Sequence, residues 1–530
     1  MNNRKTMALA LAAVMAAAMA GCAKNADNQA TGASSPSASQ APAAVSGAQA
    51  LYASGKPLEL KVHMHYGDIH VFKDEWPVFK KAAELTNVTL KGTAPQNATN
   101  SNEVFNLMLV SKDLPDIIQG DKANLLKASG DGALIPLDDL IEKNAPHIKK
   151  FFDDNPWVRQ GAAAADGKLY YLPFVMDGKA AEGFFIRKDW LDKLGLKEPK
   201  TVDEYHQVLK MFLEKDPNGN NKQDEVPYFS RDKKGILDLV QLFGARTGWY
   251  EQDGQLRYGK YEAEYKTAMS SLSVWYKEKL IDNEIFTRGD KARDILLGDN
   301  VGGSTHDWFG SSSNYNDTLK DKVSGLQFLP IAPPADVNGK VKEESGRELL
   351  QPYGWGISSV NKHTVETIKY MDFWYTETGK RLGNVGIEGQ QYTMQNGKAV
   401  YTDAVLKGKD PVNKQMWDIG AQQYIGLQMD YSYEEQWTNP VAAKGIREYL
   451  DNGYILPQVP SLSFNDAEQK ILTEKWPAIE TYIAEMEQKW IMGAQPVGSS
   501  FDSYVSNLKT MGIDSVIQVY NAAFKRYNGK

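Results

Sequence analysis

This sequence predicts an α/β protein of two domains, and two observations carry the prediction. Between Leu58 and Ile118, segments that read as strands alternate with segments that read as helices, the pattern of a largely parallel sheet. Residues 57–530 also form a stretch longer than one hydrophobic core usually supports, which makes two domains the expectation. Composition is globular, with 42% hydrophobic and 24% charged residues, and past the N-terminus no apolar run reaches transmembrane length.

The first element is Leu58–His65 (LELKVHMH), whose alternation reads as a strand, followed by a loop over Tyr66–Val71. A helix is predicted over Trp76–Leu85, a strand over Val88–Gly92, a helix over Asn102–Val110 and a strand over Leu114–Ile118. In such lobes ligands meet loops at the carboxyl ends of strands. This places Tyr66, Asp68, Gln119 and Asp121 beside a cleft. Leu137–Lys143 reads as a short helix, Asp166-Gly167-Lys168 as a turn, and Leu169–Phe174 as a strand. A strand over Gly183–Arg187 and helices around Trp190, over Val202–Leu213, Ile236–Phe243 and Glu262–Lys279 come next. The glycine-rich stretch Gly298–Gly310 (GDNVGGSTHDWFG) brings His306, Asp307 and Trp308 together. Helices over Thr364–Tyr375, Asp466–Trp490 and Phe501–Tyr527 complete the chain, which has no internal repeat.

The N-terminus gives an address. Arg4 and Lys5 precede the apolar run Met7–Ala20 and then Gly21-Cys22, which reads as a basic region, a signal-peptide core and a small-residue cleavage site. Met19-Ala20-Gly21-Cys22 resembles a lipobox. Cys22 is the only cysteine, so no intramolecular disulfide can form, and its lipidation would anchor an extracytoplasmic protein to the cell membrane. Residues 1–21 are read as a lipoprotein signal peptide. Residues 22–56, rich in Ala, Ser, Gln and Gly, are read as a flexible tether.

A second local pattern lies in DPNGNNKQDEVP, Asp216–Pro227. Asp216, Asn218 and Asn220 put side-chain oxygens at positions 1, 3 and 5 of a loop; Lys222 offers a backbone carbonyl at 7, and Asp224 and Glu225 offer carboxylates at 9 and 10. Calcium accepts six to eight oxygens in flexible geometry, so this spacing suits one structural Ca2+. The loop departs from the EF-hand pattern, because its glycine, Gly219, stands at position 4 and position 12 is Pro227. An Asx-rich surface turn is the plain alternative.

Together with the preceding RKDWLDKLGLKEPKTVDEYHQVLKMFLEK (Arg187–Lys215), this loop resembles the extracellular solute-binding proteins of carbohydrate ABC importers, in the branch of alginate-oligosaccharide-binding proteins and Gram-positive sugar-binding lipoproteins. The resemblance runs from about Leu58 to Tyr527, with Gly386-Ile387-Glu388-Gly389 typical of the branch. It implies a two-lobe periplasmic-binding-protein-like fold of type II, with discontinuous lobes joined by a hinge: residues 57–175 plus 356–425 in one, 176–355 plus 426–530 in the other. It also implies the calcium ligands Asp216, Asn218, Asn220, Lys222, Asp224 and Glu225, placed away from the cleft. A monomer that binds an oligosaccharide and docks on ABC permease subunits is the expected working unit.

Aromatic residues reach 11%, with 12 Trp and 26 Tyr, and such rings fit the apolar faces of sugars. Trp308 and Trp355, each among glycines, are the leading platform candidates, ahead of Trp249, Tyr353 and Trp437. Tyr66, Asp68, His306 and Asp307 are candidate polar contacts. Each has core packing as its plain alternative. His63, His65 and His70 suggest a metal only weakly. A formal charge of −7 argues against a nucleic-acid partner. No G-x-S-x-G, H-E-x-x-H, P-loop or dinucleotide motif is present, so no catalytic residue is assigned. A surface-anchored glycoside hydrolase or polysaccharide lyase is the rival expectation, and a lipoprotein that only displays a binding face is the third.

Overall fold

The computed structural model describes residues 53–66 and 70–529, so the signal sequence, most of the tether and Asp68 lie outside the described residues. Two principal sheets organise the rest. Their strands are β1 (Leu58–His63), β2 (Val88–Gly92), β3 (Ile117–Asp121), β4 (Leu172–Met176), β5 (Glu182–Arg187), β6 (Val226–Tyr228), β7 (Gly302–Trp308), β8 (Phe328–Ile331), β9 (Leu350–Ile357) and β10 (Leu427–Met429). One sheet runs β10-β4-β9-β3-β1-β2, the other β8-β5-β7-β6.

In the first sheet β1 is parallel to β2 and β3, as alternating strand and helix require, but β9 runs antiparallel between β3 and β4. The sheet is therefore mixed, because β9 arrives from the other lobe and not through a βαβ crossover. Helices cover it with simple patterns. Pro77–Thr86 starts on proline, buries Val78, Phe79 and Ala82 on one face, and stops at Asn87 in the left-handed region (φ 65°). Its core extends from Leu60 and Val62 through Trp76, Trp355 and Trp374 to Met416.

In the second sheet β5 shows why its residues must be apolar throughout. Phe184 and Ile186 face one core with the C-terminal helices, while Phe185 faces another with Phe309, Phe328 and Tyr449. Helix Val202–Glu214 is capped by Thr201, whose side chain accepts from the Glu204 N–H, a contact of about 1 kcal/mol. It buries Val202, Tyr205, Val208, Leu209 and Phe212 at helical spacing and delivers the chain to the loop at Asp216. The expected helix over Phe501–Tyr527 is two helices, Val497–Met511 and Ile513–Tyr527, broken at Gly512, whose φ of 96° suits glycine.

The chain passes between the sheets after β4, after β8 and after β10. At the crossings Ala180 bridges Gly346, the Arg347 N–H donates to the Lys179 carbonyl, and Arg347 pairs with Glu434 through two short contacts (2.6 and 2.8 Å). Lys122, next to the end of β3, donates to the Gly161 carbonyl, Ser461 Oγ and the Leu462 carbonyl, tying the last connecting segment to the first lobe. Strand β9 joins the first sheet at Leu350, earlier than the expected return at residue 356, and β10 extends that sheet past residue 425. Both belong there because their backbones complete its ladder.

Candidate ligand cleft

Strand β7 ends on Trp308, a residue 45% exposed. It lines a cavity of about 1020 Å3 whose other walls come from a different lobe. Arg231 and Asn314 belong to the second-lobe wall; Lys409, Asn413 and Trp437 stand across from them, on segments that pack against the first-lobe core through Val412 and Trp437 itself. Gly310, just past Trp308, has open space where a Cβ would stand and also lines the cavity.

Below Trp308, strand alternation sends its two neighbours to opposite faces. Asp307 is buried and takes Arg231 at 2.8 Å and Arg293 at 2.9 Å. His306 is buried on the other face, between Glu343 at 2.9 Å and Asp238 at 3.3 Å. Burial alone would lower its pKa, but the two carboxylates outweigh burial and hold the imidazolium well above the usual histidine range. His306 and Asp307 are thus corrected from ligand contacts to internal ion-pair partners that fix the end of β7.

A second aromatic group sits at the carboxyl ends of first-lobe strands. Tyr353 on β9 donates to Tyr66 Oη at 2.9 Å and stacks on Tyr424 with centroids 5.0 Å apart, and His70 bridges Tyr424 and Trp417 at 4.7 and 5.0 Å. Tyr66 and Tyr353 are half-buried members of this cluster, joined by Tyr424 and Trp417, which sequence reasoning missed; none of the four lines the Trp308 cavity. Tyr353, already a candidate from the sequence, lies opposite Asp121 at the end of β3.

Trp355 requires the largest correction. Its ring is fully buried (0% exposed) in the first-lobe core. The glycines beside it serve strand packing: a Cβ on Gly354 would come within 2.1 Å of the Leu172 carbonyl oxygen, and one on Gly356 within 2.4 Å of that of Tyr170. Trp249 is also away from the cleft, stacked on Tyr520 at 3.9 Å and packed near Tyr258 and Trp476. The three N-terminal histidines do not converge: His65 contacts Ser101 and the Ala98 carbonyl, His70 contacts Gln423, and His63 packs on Phe105 with burial lowering its pKa to about 4.

The loop at Asp216–Glu225 is folded on itself. Asp216 Oδ1 accepts from the Gly219 and Asn220 N–H groups, and Asn218 and Asn220 direct amide nitrogens at Asp224 at 3.0 Å. Gly219 has a φ of 77°, the conformation its position requires. Glu225 is the exception: it is buried, and neither carboxylate oxygen makes a well-formed hydrogen bond, although the backbone N–H groups of Glu225 and Asn218 lie near enough to favour its charged form. Burial pushes its pKa up, with Asp216 and Asp224 adding to the effect against backbone donors that lower it. A buried carboxylate near Asp216 and Asp224, met only by nearby backbone N–H groups, fits a cation as a further partner. Among the described residues no three His, Cys, Asp or Glu side chains converge by themselves on a metal position, so a cation here would also depend on amide and backbone oxygens.

Residues 71–381 match the bacterial extracellular solute-binding protein family. The chain belongs to that family. It is similar to the fructooligosaccharide ABC transporter substrate-binding protein FusA of Streptococcus pneumoniae serotype 4 (strain TIGR4), 26% identical over 460 residues, covering 80% of this chain and 82% of FusA. The polygalacturonan/rhamnogalacturonan-binding protein YtcQ of Bacillus subtilis (strain 168) is 26% identical over 479 residues, covering 84% and 88%. Among solved structures, the alginate-binding protein AlgQ2 without calcium ion is 42% identical with a TM-score of 0.75, covering 90% of this chain and 100% of that one. The two lobes described above are those of this family's two-lobe fold.

Proposed function

We propose that this protein is a lipid-anchored receptor that captures an oligosaccharide between its lobes and delivers it intact to the permease of an ABC importer. The cavity at Trp308 carries the reading: an exposed indole face and polar side chains converge there from both lobes. An indole suits the C–H face of a sugar ring, and guanidinium, ammonium and amide groups suit its hydroxyls. FusA, YtcQ and AlgQ2 are each named for a carbohydrate, which supports the ligand class. Ligand touching both walls favours the closed arrangement of the hinge, and the closed form is the one the permease receives. No bond is broken in this scheme; with no Walker motif in the chain, ATP hydrolysis falls to a separate subunit. Cys22 would carry the anchor.

The proposal includes a structural calcium ion. Asp216, Asn218, Asn220, Asp224, Glu225 and the Lys222 carbonyl would hold it, and Glu225 supports the reading because nearby backbone N–H groups only partly compensate its burial. The ion would order the loop and take no part in ligand capture.

A thermal-shift screen of an oligosaccharide panel against residues 57–530 tests the function, since a ligand bound only by the folded state stabilises it by RT ln(1 + [L]/Kd). Stabilisation by at least one sugar, recovered intact after long incubation, is the expected result. Release of fragments in proportion to protein would replace the receptor with a hydrolase or lyase, and a panel without effect would overturn the carbohydrate reading.

A further inference from the structure

We infer that His306 and Glu343 are positioning residues for ligand capture: their buried pair locks β7, which presents Trp308, to the crossing segments about which the lobes turn. The inference rests on the proposed capture of a sugar at Trp308 and adds residues that act on capture without touching the sugar. His306 stands two residues before Trp308 on the same face of β7, and the side chains of His306 and Glu343 are both 0% exposed. Glu343 lies 37 residues on, in the segment that crosses back after β8. Its Oε2 meets His306 Nε2 at 2.9 Å, and its Oε1 accepts from the Ser345 N–H at 2.8 Å. Its backbone joins the last connecting segment: the N–H donates to the Tyr454 carbonyl at 2.7 Å, and the carbonyl accepts from the Leu456 N–H at 2.9 Å. Three residues further, Gly346 bridges Ala180 of the first crossing. One side-chain contact therefore ties the ligand strand to a residue laddered into the crossings. On the far side of the tryptophan, the Phe309 N–H donates to the Ala181 carbonyl at 2.9 Å, where the first crossing enters β5. Trp308 is held between these two attachments.

The chemistry of the pair suits direction better than bulk. The imidazolium is fixed on three sides: Nε2 by Glu343, Nδ1 by Asp238 at 3.3 Å, and the ring by the edge-on Phe184 at 4.9 Å. Glu182, opposite Trp308 on β5, is a third carboxylate whose charge the imidazolium favours. Asp307 stands on the other face of β7, with Arg231 and Arg293. An apolar contact would let β7 slide against the crossing segment, whereas ring nitrogens bonded at set angles hold one register. A buried ion pair adds little stability over an apolar pair of the same volume, yet losing one partner strands a charge in the interior. Geometry, more than stability, is what such a pair supplies here.

Melting curves and calorimetric titration of residues 57–530 separate positioning from stability. The probes are a uronate tetrasaccharide and a neutral tetrasaccharide, whichever binds the wild type, or else the panel sugar that stabilises it. His306→Gln or Glu343→Gln alone strands a charge and should lower the melting temperature and weaken binding together. With both glutamines no charge is stranded, so the melting temperature should return toward the wild-type value while binding stays about threefold to thirtyfold weaker. Glu343→Asp, which keeps the charge but draws back the carboxylate, is the second variant and should also bind more weakly. Wild-type affinity in the folded double variant, or in Glu343→Asp, would show that the pair serves stability alone; it overturns the inference and leaves sugar capture standing. If no sugar binds the wild type, the capture reading fails and this inference falls with it.

Discussion

The loop at Asp216–Glu225 and the cleft at Trp308 are opposite kinds of site. The loop concentrates its oxygen donors in ten consecutive residues at the end of one helix. The cleft draws Arg231, Trp308, Lys409 and Trp437 from separate segments and two lobes. The first kind can be read from spacing, because chain connectivity already brings the groups together. The second depends on which strand ends meet, and only the fold decides that. The two sites should also divide the work: the loop sets stability, the cleft sets affinity.

The sharpest way to test that division is to move one tryptophan in each environment. Trp355→Ala empties a fully buried position, so unfolding should cost about 3–5 kcal/mol less, seen as a lower denaturant midpoint. A variant that unfolds like wild type but loses ligand would return Trp355 to the cleft.

Calcium gives the next largest effect. A metal bound only by the folded loop should raise stability by roughly 3–4 kcal/mol at 100 to 1,000 times its Kd. Asp216→Ala should remove most of that gain while sugar affinity stays unchanged. Melting curves in chelator and in calcium measure it. Identical wild-type curves in the two buffers, with no metal by elemental analysis, would reduce the stretch to a polar turn.

Glu225→Gln should have a smaller effect whose sign depends on the buffer. The folded state raises the pKa of Glu225, so it holds its proton more tightly than the unfolded chain does. Without metal, stability is therefore lost as pH rises from the ordinary carboxylate range, about 4.3, through the raised value. In chelator at neutral pH the glutamine variant should be at least as stable as wild type; in calcium it should be the less stable of the two. Lower stability of the variant in both buffers would mean that Glu225 is satisfied without a cation.

How much was readable before the structure follows the same division. Alternating strand and helix through Ile118 gave the α/β class, because each segment's pattern is local. The antiparallel entry of β9 was not readable, since its direction depends on a return from the other lobe. The neighbourhood of tryptophan misled for a physical reason. Glycines flank or follow both Trp308 and Trp355, but Gly354 and Gly356 admit a neighbouring strand's backbone, whereas Gly310 faces open space. Composition cannot separate a glycine that permits close packing from one that leaves a gap. His306 and Asp307 stood in the right place with the wrong exposure, and Arg231, Tyr424 and Trp417 carried no local signal at all.

The central claim, that the interlobe cavity at Trp308 is where the ligand is held, meets its most direct test in calorimetric titration of a stabilising oligosaccharide into wild type and Trp308→Ala. Loss of one ring contact should weaken binding by about 1–2 kcal/mol, some fivefold to thirtyfold, with the melting temperature of the free protein unchanged because the ring is exposed. Undiminished affinity in the variant would place the ligand elsewhere and contradict the account.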